Sequence, residues 1–178
     1  MEIKLIRLNS VDSTNNVAIR RIKKGQIKPT LILAKKQTKG KGQYGRKWIS
    51  YKGNVFLSIY FSIKKKALLK SITKKIYTVI KKSLNSFVNE NITIKLPNDL
   101  LINGHKFCGI LQETLIYKNN KYFIVGVGIN LCKSPIIGNK KTSYLQKYSN
   151  KKIKINDICA TIKKNFEKFV LINYVSDR

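Results

Sequence analysis

The stretch from Lys95 to Glu113 constrains the fold more than any other part of the chain, because it carries the signals of a β-hairpin. Pro97 ends one short strand, and Asn103-Gly104 is the dipeptide that two-residue hairpin turns favour for positive φ. The second strand therefore begins near Lys106. It carries Gly109 in its interior, where glycine usually marks close approach of a ligand or another backbone. An ordinary hairpin with a solvated lysine is the alternative.

Length and composition predict a single globular domain over residues 1–178. The chain has 178 residues, of which 43% are hydrophobic, enough to form a core. Its longest apolar stretch, residues 55–63, is too short to span a bilayer, and the first ten residues lack the layout of a signal peptide. We therefore expect a soluble, cytoplasmic protein.

The cysteine and histidine content excludes several kinds of site. Cys108, Cys132 and Cys159 are widely spaced and odd in number, so neither a disulfide framework nor a Cys-x-x-Cys site is indicated. His105 is the single histidine, which excludes catalysis by two histidines and most zinc sites.

The formal net charge of +29 raises the question of nucleic-acid binding. Nearly all of the cations are lysines spread over the whole chain, however, and arginine, whose planar fork reads bases and phosphates, is scarce. We interpret the charge as a compositional bias toward Lys, Asn and Ile, and we disfavour a specific nucleic-acid function.

A glycine-rich basic loop follows a predicted buried strand at residues 30–34. Its glycines leave backbone N–H groups free to turn toward an anion, and Lys41 and Arg46 add positive charge. The loop is not a Walker A motif, and it is not a Rossmann loop, because a strand and not a helix is predicted to follow. A flexible basic linker is the alternative. The glycines are Gly40, Gly42 and Gly45.

Hydrophobic periodicity and turn residues place the remaining elements. Asp12, Ser13 and Thr14 supply N-cap chemistry for a first helix that ends near Gly25. Residues 135–150 are loop-like. Further strands are predicted at residues 2–8, 54–62, 91–96 and 122–131, and further helices at 67–88 and 155–169.

Two glycines lie on one face of the strand at residues 122–131. Because side chains alternate along a strand, Gly126 and Gly128 leave that face bare, so a flat ligand can lie against the backbone. Asn130 is on the same face and offers an amide at its edge.

Four motifs together resemble the biotin protein ligases. They are Asp-Ser-Thr-Asn at 12–15, the loop Gly-Lys-Gly-Gln-Tyr-Gly-Arg-Lys-Trp at 40–48, the hairpin Lys-Leu-Pro-Asn-Asp to Lys-x-x-Gly-Ile-Leu-x-Glu at 95–113, and Gly-x-Gly-Ile-Asn at 126–130. The chain departs from the family pattern at Leu96, where a tryptophan is usual, and at Lys41 and Gln43, where arginines are usual.

The resemblance implies an α+β fold with a mixed, largely antiparallel sheet flanked by helices on one side, like the catalytic domain related to class II aminoacyl-tRNA synthetases. It implies a single catalytic domain. We expect neither an N-terminal winged helix nor a C-terminal small β-barrel, so a repressor role is disfavoured.

The implied reaction activates biotin with ATP, giving biotinyl-5′-AMP. The biotinyl group then passes to a lysine of the biotin carboxyl carrier protein domain of a carboxylase, such as acetyl-CoA carboxylase. Mg²⁺ would accompany ATP. No specific nucleic acid and no membrane are expected as partners, and a homodimer is left open. Because both reactants of the first step are anions, fixed cations are required between them.

The residue roles are those that the family match implies. Catalysis is assigned to Lys106, as a cation bridging the biotin carboxylate and the α-phosphate, with Lys41 and Arg46. Biotin binding is assigned to Ser13, Thr14, Asn15, Gln37, Gly40, Lys41, Gly42, Gln43, Lys106, Gly109, Gly126 and Gly128. ATP binding is assigned to Lys41, Arg46, Trp48, Lys95, Asn98, Asp99, Lys106 and Asn130, with Asp99 also a metal ligand.

Three alternative functions remain. A lipoate or octanoate ligase or transferase would use the same fold, but its characteristic loop is Arg-Arg-x-x-Gly-Gly-Gly-like. A basic nucleic-acid-binding module would bind tightly at moderate salt. A catalytically inactive scaffold would bind biotin without turnover.

Overall fold

The structure, a computed structural model, describes residues 2–63 and 69–174. The strands are β1 Lys4–Val11, β2 Thr30–Gln37, β3 Val55–Ile63, β4 Ile92–Lys95, β5 Asp99–Ile102, β6 His105–Tyr117 and β7 Asn120–Ile129. The helices are α1 Thr14–Lys23, α2 Leu69–Asn85 and α3 Ile155–Tyr174, with short 3-10 turns at Gln43–Gly45 and Leu145–Tyr148. The predicted start of the second helix, at residues 67 and 68, lies outside the described residues.

The seven strands form one sheet in the order β1-β2-β3-β7-β6-β5-β4. β1 and β2 are parallel, and every other neighbouring pair is antiparallel. The prediction of a mixed, largely antiparallel sheet is therefore confirmed. Of the helices described, none combines the length and the apolar character that crossing a membrane requires.

The hairpin that joins β5 and β6 forms where the sequence places it. Asn103 and Gly104 have φ values of 49° and 75°, the paired left-handed conformation of a two-residue hairpin turn. Ile102 lies opposite His105 and Leu101 opposite Lys106. Lys106 thus stands at the beginning of β6, as predicted.

The helices cover both faces of the sheet, so the expectation of helices on one side is wrong. α2 and α3 pack over the larger core, which includes Leu57 and Phe61, whereas Ile32 and Tyr60 pack under Ala18 of α1. β2 and β3 are central strands with apolar residues pointing in both directions. Both faces must therefore be covered to keep these side chains from water.

The face that carries α1 also carries the predicted ligand surface. Tyr122 and Ile124 of β7 pack in the cluster under α1, and the same alternation places Gly126 and Gly128 farther along that face. Asn15, in the first turn of α1, lies over Gly126. The glycine end of β7 is therefore just beyond the start of this helix.

Candidate active site

A cavity of about 850 Å³ lies between the glycine-rich loop, the β5–β6 hairpin and the end of β7. Every predicted site residue lines it except Gly40. Gly40 instead lines a second depression, of about 1120 Å³, that shares Lys41, Arg46 and Trp48 with this cavity. Residues from all four sequence motifs are therefore brought to one place.

Lys106 presents its ammonium to this cavity from the first residues of β6. Its Nζ lies 2.7 Å from Oδ1 of Asp99 and 5.5 Å from the ring centroid of Trp48, and its side chain is 30% exposed. The ion pair and the indole hold the ammonium in a defined position at a partly dry site. Such a preorganised cation suits an anionic substrate.

Asp99 has this lysine as its partner, where the sequence suggested a metal ion. It is the one acidic residue among those that line the 850 Å³ cavity. The part of the chain that the structure describes contains no group of three histidine, cysteine or acidic side chains able to hold a metal. The protein side chains do not by themselves make a magnesium site here.

The sequence predicted a bare surface at the glycines of β7. In the structure, side chains cover this surface. A Cβ built on Gly128 would lie 2.5 Å from Cε2 of Trp48, and one built on Gly109 would lie 2.6 Å from Cζ3 of the same ring. A Cβ on Gly126 would collide with the amide of Asn15. The glycines do mark a close approach, but the flat group that approaches is the protein's own indole.

Trp48 was predicted to stack on adenine, and in this structure its ring lies on glycine backbone. Its buried Nε1 has no hydrogen-bond partner among the described residues. A ligand entering this end of the cavity would meet the indole and could accept a hydrogen bond from Nε1.

A buried polar network forms the inner wall of the cavity. The backbone N–H of Thr14 donates to Oε1 of Gln37 at 2.8 Å, and Nδ2 of Asn15 donates to Oε2 of Glu113 at 2.6 Å. The hydroxyl of Ser58 lies 2.7 Å from the Thr14 hydroxyl and 2.5 Å from Oδ1 of Asn15. These bonds fix the side chains at the start of α1, which therefore need little reorganisation to bind a polar ligand.

Sequence reasoning missed Ser58 and Glu113 as members of this network. Glu113 closes the hairpin motif, so its place in the pattern was the available signal. Ser58 is one polar residue in an apolar strand, and only the register that sets it opposite Gly126 shows its role. Ser13 is buried at the N-cap position as predicted, but its side chain makes no capping hydrogen bond.

The glycine-rich loop is a small closed hairpin and not an open wrap of free N–H groups. The N–H of Gly42 donates to the carbonyl of Arg46 at 2.7 Å, and that of Trp48 donates to the carbonyl of Gly40 at 2.9 Å. A Cβ on Gly40 would lie 2.5 Å from the Trp48 carbonyl oxygen, so this position requires glycine. The N–H groups of Gly42 and Trp48 are therefore used internally, and the Arg46 side chain lines the cavity as a group that can bind an anion.

The segment after β7, residues 135–143, completes the cavity, although the sequence analysis assigned it no function. The N–H of Lys106 donates to the carbonyl of Lys141 at 2.9 Å, and the N–H of Ser143 donates to the carbonyl of Lys106 at 2.8 Å. Nδ2 of Asn130 donates to the carbonyl of Ser143 at 3.2 Å, and its buried Oδ1 has no partner among the described residues. The segment thereby adds Lys140 to the cavity wall.

The electrostatic character of the cavity is strongly positive. Against the single carboxylate of Asp99 stand cations from the loop, from β4, from β6 and from the segment after β7. Such an excess of fixed positive charge favours a ligand that carries several negative charges. The cations are Lys41, Arg46, Lys47, Lys95, Lys106, Lys140 and Lys141.

Comparison with known proteins agrees with this geometry. The model of the biotin/lipoate A/B protein ligase family matches residues 8–130. The chain belongs to this family. The matched range contains all four motifs and every predicted site residue.

Several curated ligases are similar in sequence to this ligase-family chain. It is 31% identical over 137 residues to the bifunctional ligase/repressor BirA of Bacillus subtilis, covering 74% of this chain and 41% of that protein. It is 30% identical over 137 residues to the biotin–[acetyl-CoA-carboxylase] ligase of Paracoccus denitrificans, covering 74% and 56%. The chain thus spans about two fifths to somewhat over half of the length of these relatives.

Solved structures of biotin protein ligases share the fold of this family member. The enzyme of Aquifex aeolicus in complex with biotin and ATP superposes with a TM-score of 0.77 at 27% identity, over 93% of this chain and 69% of that one. The enzyme of Leishmania major in complex with biotinyl-5-AMP gives 0.81 at 20% identity, over 97% and 76%. The predicted fold, a biotin protein ligase-like catalytic domain, is confirmed.

Proposed function

We propose that this chain activates biotin with ATP to form biotinyl-5′-AMP and then transfers the biotinyl group to a lysine of a biotin carboxyl carrier protein domain. The observation that carries the proposal is the convergence of the four ligase motifs on one cation-rich cavity with Lys106 held at its wall. The ligase names of the similar proteins support it. We further propose a cytoplasmic location.

In the first step a carboxylate oxygen of biotin attacks the α-phosphorus of ATP. The bond between that phosphorus and the oxygen bridging the α- and β-phosphates breaks, and pyrophosphate leaves with the electron pair of that bond. The ammonium of Lys106 would lie between the two anions and offset their repulsion, which is strong where water is scarce. Lys41, Arg46 and Lys95 would bind phosphate oxygens from the cavity rim.

In the second step the uncharged amine of the acceptor lysine attacks the acyl carbon of the mixed anhydride. The bond to the phosphate oxygen breaks, AMP leaves, and the attacking nitrogen loses a proton to solvent. The first step needs stabilisation of negative charge, and the second needs the anhydride to be protected from water until the acceptor arrives. The Trp48 ring and the buried network around Asn15 supply an apolar floor and a rigid inner wall.

Mg²⁺ is expected to enter with ATP, bound by phosphate oxygens and water. Asp99 is the carboxylate that the cavity offers, and its oxygen is already 2.7 Å from Lys106. This donor set does not by itself form a metal site among the described residues.

The test is to incubate the protein with ATP, Mg²⁺ and labelled biotin or lipoate in parallel, and to detect the acyl adenylate by mass spectrometry. Biotinyl-5′-AMP alone supports the proposal. Lipoyl-AMP would instead show that the chain activates lipoate. Binding of biotin without adenylate would indicate an inactive scaffold.

A further inference from the structure

One face of α1 and Asp12, which lies two residues before the helix, form a polar chain that ends on the glycine-rich loop. The Nη1 and Nη2 groups of Arg20 donate to Oδ2 and Oδ1 of Asp12 at 2.8 and 2.7 Å. Nδ2 of Asn16 donates to Oδ2 of Asp12 at 2.8 Å, and Nζ of Lys41 donates to Oδ1 of Asn16 at 2.7 Å. Asn16 and Arg20 are four residues apart in α1 and share one side of the helix, and Asp12 lies just before that helix.

The chemistry of the four groups determines which way the Asn16 amide points. An ionised carboxylate only accepts hydrogen bonds, so Asp12 binds the NH₂ end of the amide, and the carbonyl end must face the loop. The ammonium of Lys41 only donates, so it requires that carbonyl oxygen. The paired hydrogen bonds from Arg20 hold the pKa of Asp12 well below its usual range, so Asp12 stays ionised near neutral pH.

The residues just before α1 also anchor the start of the glycine-rich loop. The N–H of Thr38 donates to the carbonyl of Val11, and the N–H of Lys39 donates to the carbonyl of Asp12, both at 2.8 Å. The Asn16 contact continues this attachment to the side chain of Lys41, which lines the cavity and is otherwise exposed. One of the three ammonium donors is used by Asn16, which leaves two for a ligand.

We propose that Asn16 is a positioning residue that holds the Lys41 ammonium at the edge of the cavity, oriented by Asp12 and Arg20. A lysine lacks the planar fork that gives arginine its direction, so an ammonium at this position needs an external partner to aim it. The inference rests on the proposed function only in that Lys41 is taken to bind the anionic substrates.

A double-mutant cycle on adenylate formation tests the proposal. Asn16→Ala should lower kcat/KM for ATP by about tenfold, mainly through KM, because a charge-assisted hydrogen bond is lost. In a Lys41→Ala background the same substitution should change kcat/KM by less than about twofold, because nothing is left to position. Equal losses in both backgrounds, or no loss in the first, would overturn the proposal.

Asn165→Ala is the matched control. Asn165 is also a helical asparagine with a side-chain hydrogen bond, from its Nδ2 to Oγ of Ser83 at 2.8 Å, but this bond joins α3 to α2 away from the cavity. We expect this variant to lose stability while its KM for ATP stays at the wild-type value. A similar rise in KM for both variants would indicate a general structural effect.

Competitive acetylation of lysines, read by mass spectrometry, tests the contact without any activity. Labelling of Lys41 should rise about threefold in Asn16→Ala and stay unchanged in Asn165→Ala, because a hydrogen-bonded ammonium is the less reactive one. If wild-type protein makes no adenylate from biotin, the proposed function fails, and the labelling still decides whether Asn16 holds Lys41. Unchanged labelling would refute the contact.

Discussion

The ammonium of Lys106 lies 2.7 Å from the carboxylate of Asp99, and six further cations line the same cavity. The carboxylate reduces repulsion between Lys106 and its basic neighbours and holds the amine in place before a ligand enters. Removing the lysine would do more than delete one cation. It would leave Asp99 uncompensated where two anionic substrates must bind.

Lys106→Ala should therefore abolish biotin-dependent ATP–pyrophosphate exchange, by at least about 100-fold, while the protein stays folded. The exchange assay and circular dichroism measure the two effects. Lys152→Ala, at an exposed lysine after the second 3-10 turn, is the control and should exchange at the wild-type rate. Undiminished exchange in Lys106→Ala would remove this lysine from the mechanism.

Gln43 occupies a family arginine position and lines the cavity without a charge. If the biotinyl adenylate is held loosely for this reason, stray biotinylation of bystander lysines should fall by several-fold in Gln43→Arg, about the effect of one added phosphate contact. Streptavidin blots of an unrelated carrier protein measure the leakage. Gln26→Arg adds the same charge at an exposed position outside the cavity, and its stray biotinylation should equal that of the wild type. Equal stray biotinylation by all three proteins would refute the idea.

Gly128→Ala should lower biotin affinity and reduce stability by about 1–3 kcal/mol, because the new Cβ would overlap the Trp48 ring. Isothermal titration and thermal melting measure these losses. In a Trp48→Ala background, which lacks the ring, Gly128→Ala should cost much less stability. If Gly128→Ala binds and melts like the wild type, the indole does not pack on the glycine surface in solution.

Lys140 and Lys141 extend the positive wall beyond the residues that the motifs identify. Lys140→Ala/Lys141→Ala should raise KM for ATP by about fivefold or more while the affinity for biotin alone is retained, because ATP carries more negative charge than biotin. Initial rates at varied ATP and biotin titrations separate the two. Lys151→Ala/Lys152→Ala removes the same charge outside the cavity, and an equal rise in KM there would show that only net charge matters.

Much of the local structure followed from the sequence because short-range chemistry decides it. Asn103-Gly104 specifies its hairpin turn through the two positive φ values that it adopts. Alternation along β7 placed Gly126 and Gly128 on one face, and the resemblance to the biotin protein ligases identified the motif residues that share a cavity. These signals lie within a few residues of the positions that they determine.

Only the tertiary structure decided what meets those residues. It placed Trp48 on the glycines and Asp99 against Lys106. It also placed Ser58 and Glu113 beneath Asn15. Helices cover both faces of the sheet, where the sequence predicted helices on one face. Each contact joins side chains from separate elements whose approach depends on sheet order and helix packing. A linear pattern records which groups are available, whereas close packing of distant segments determines which of them become partners.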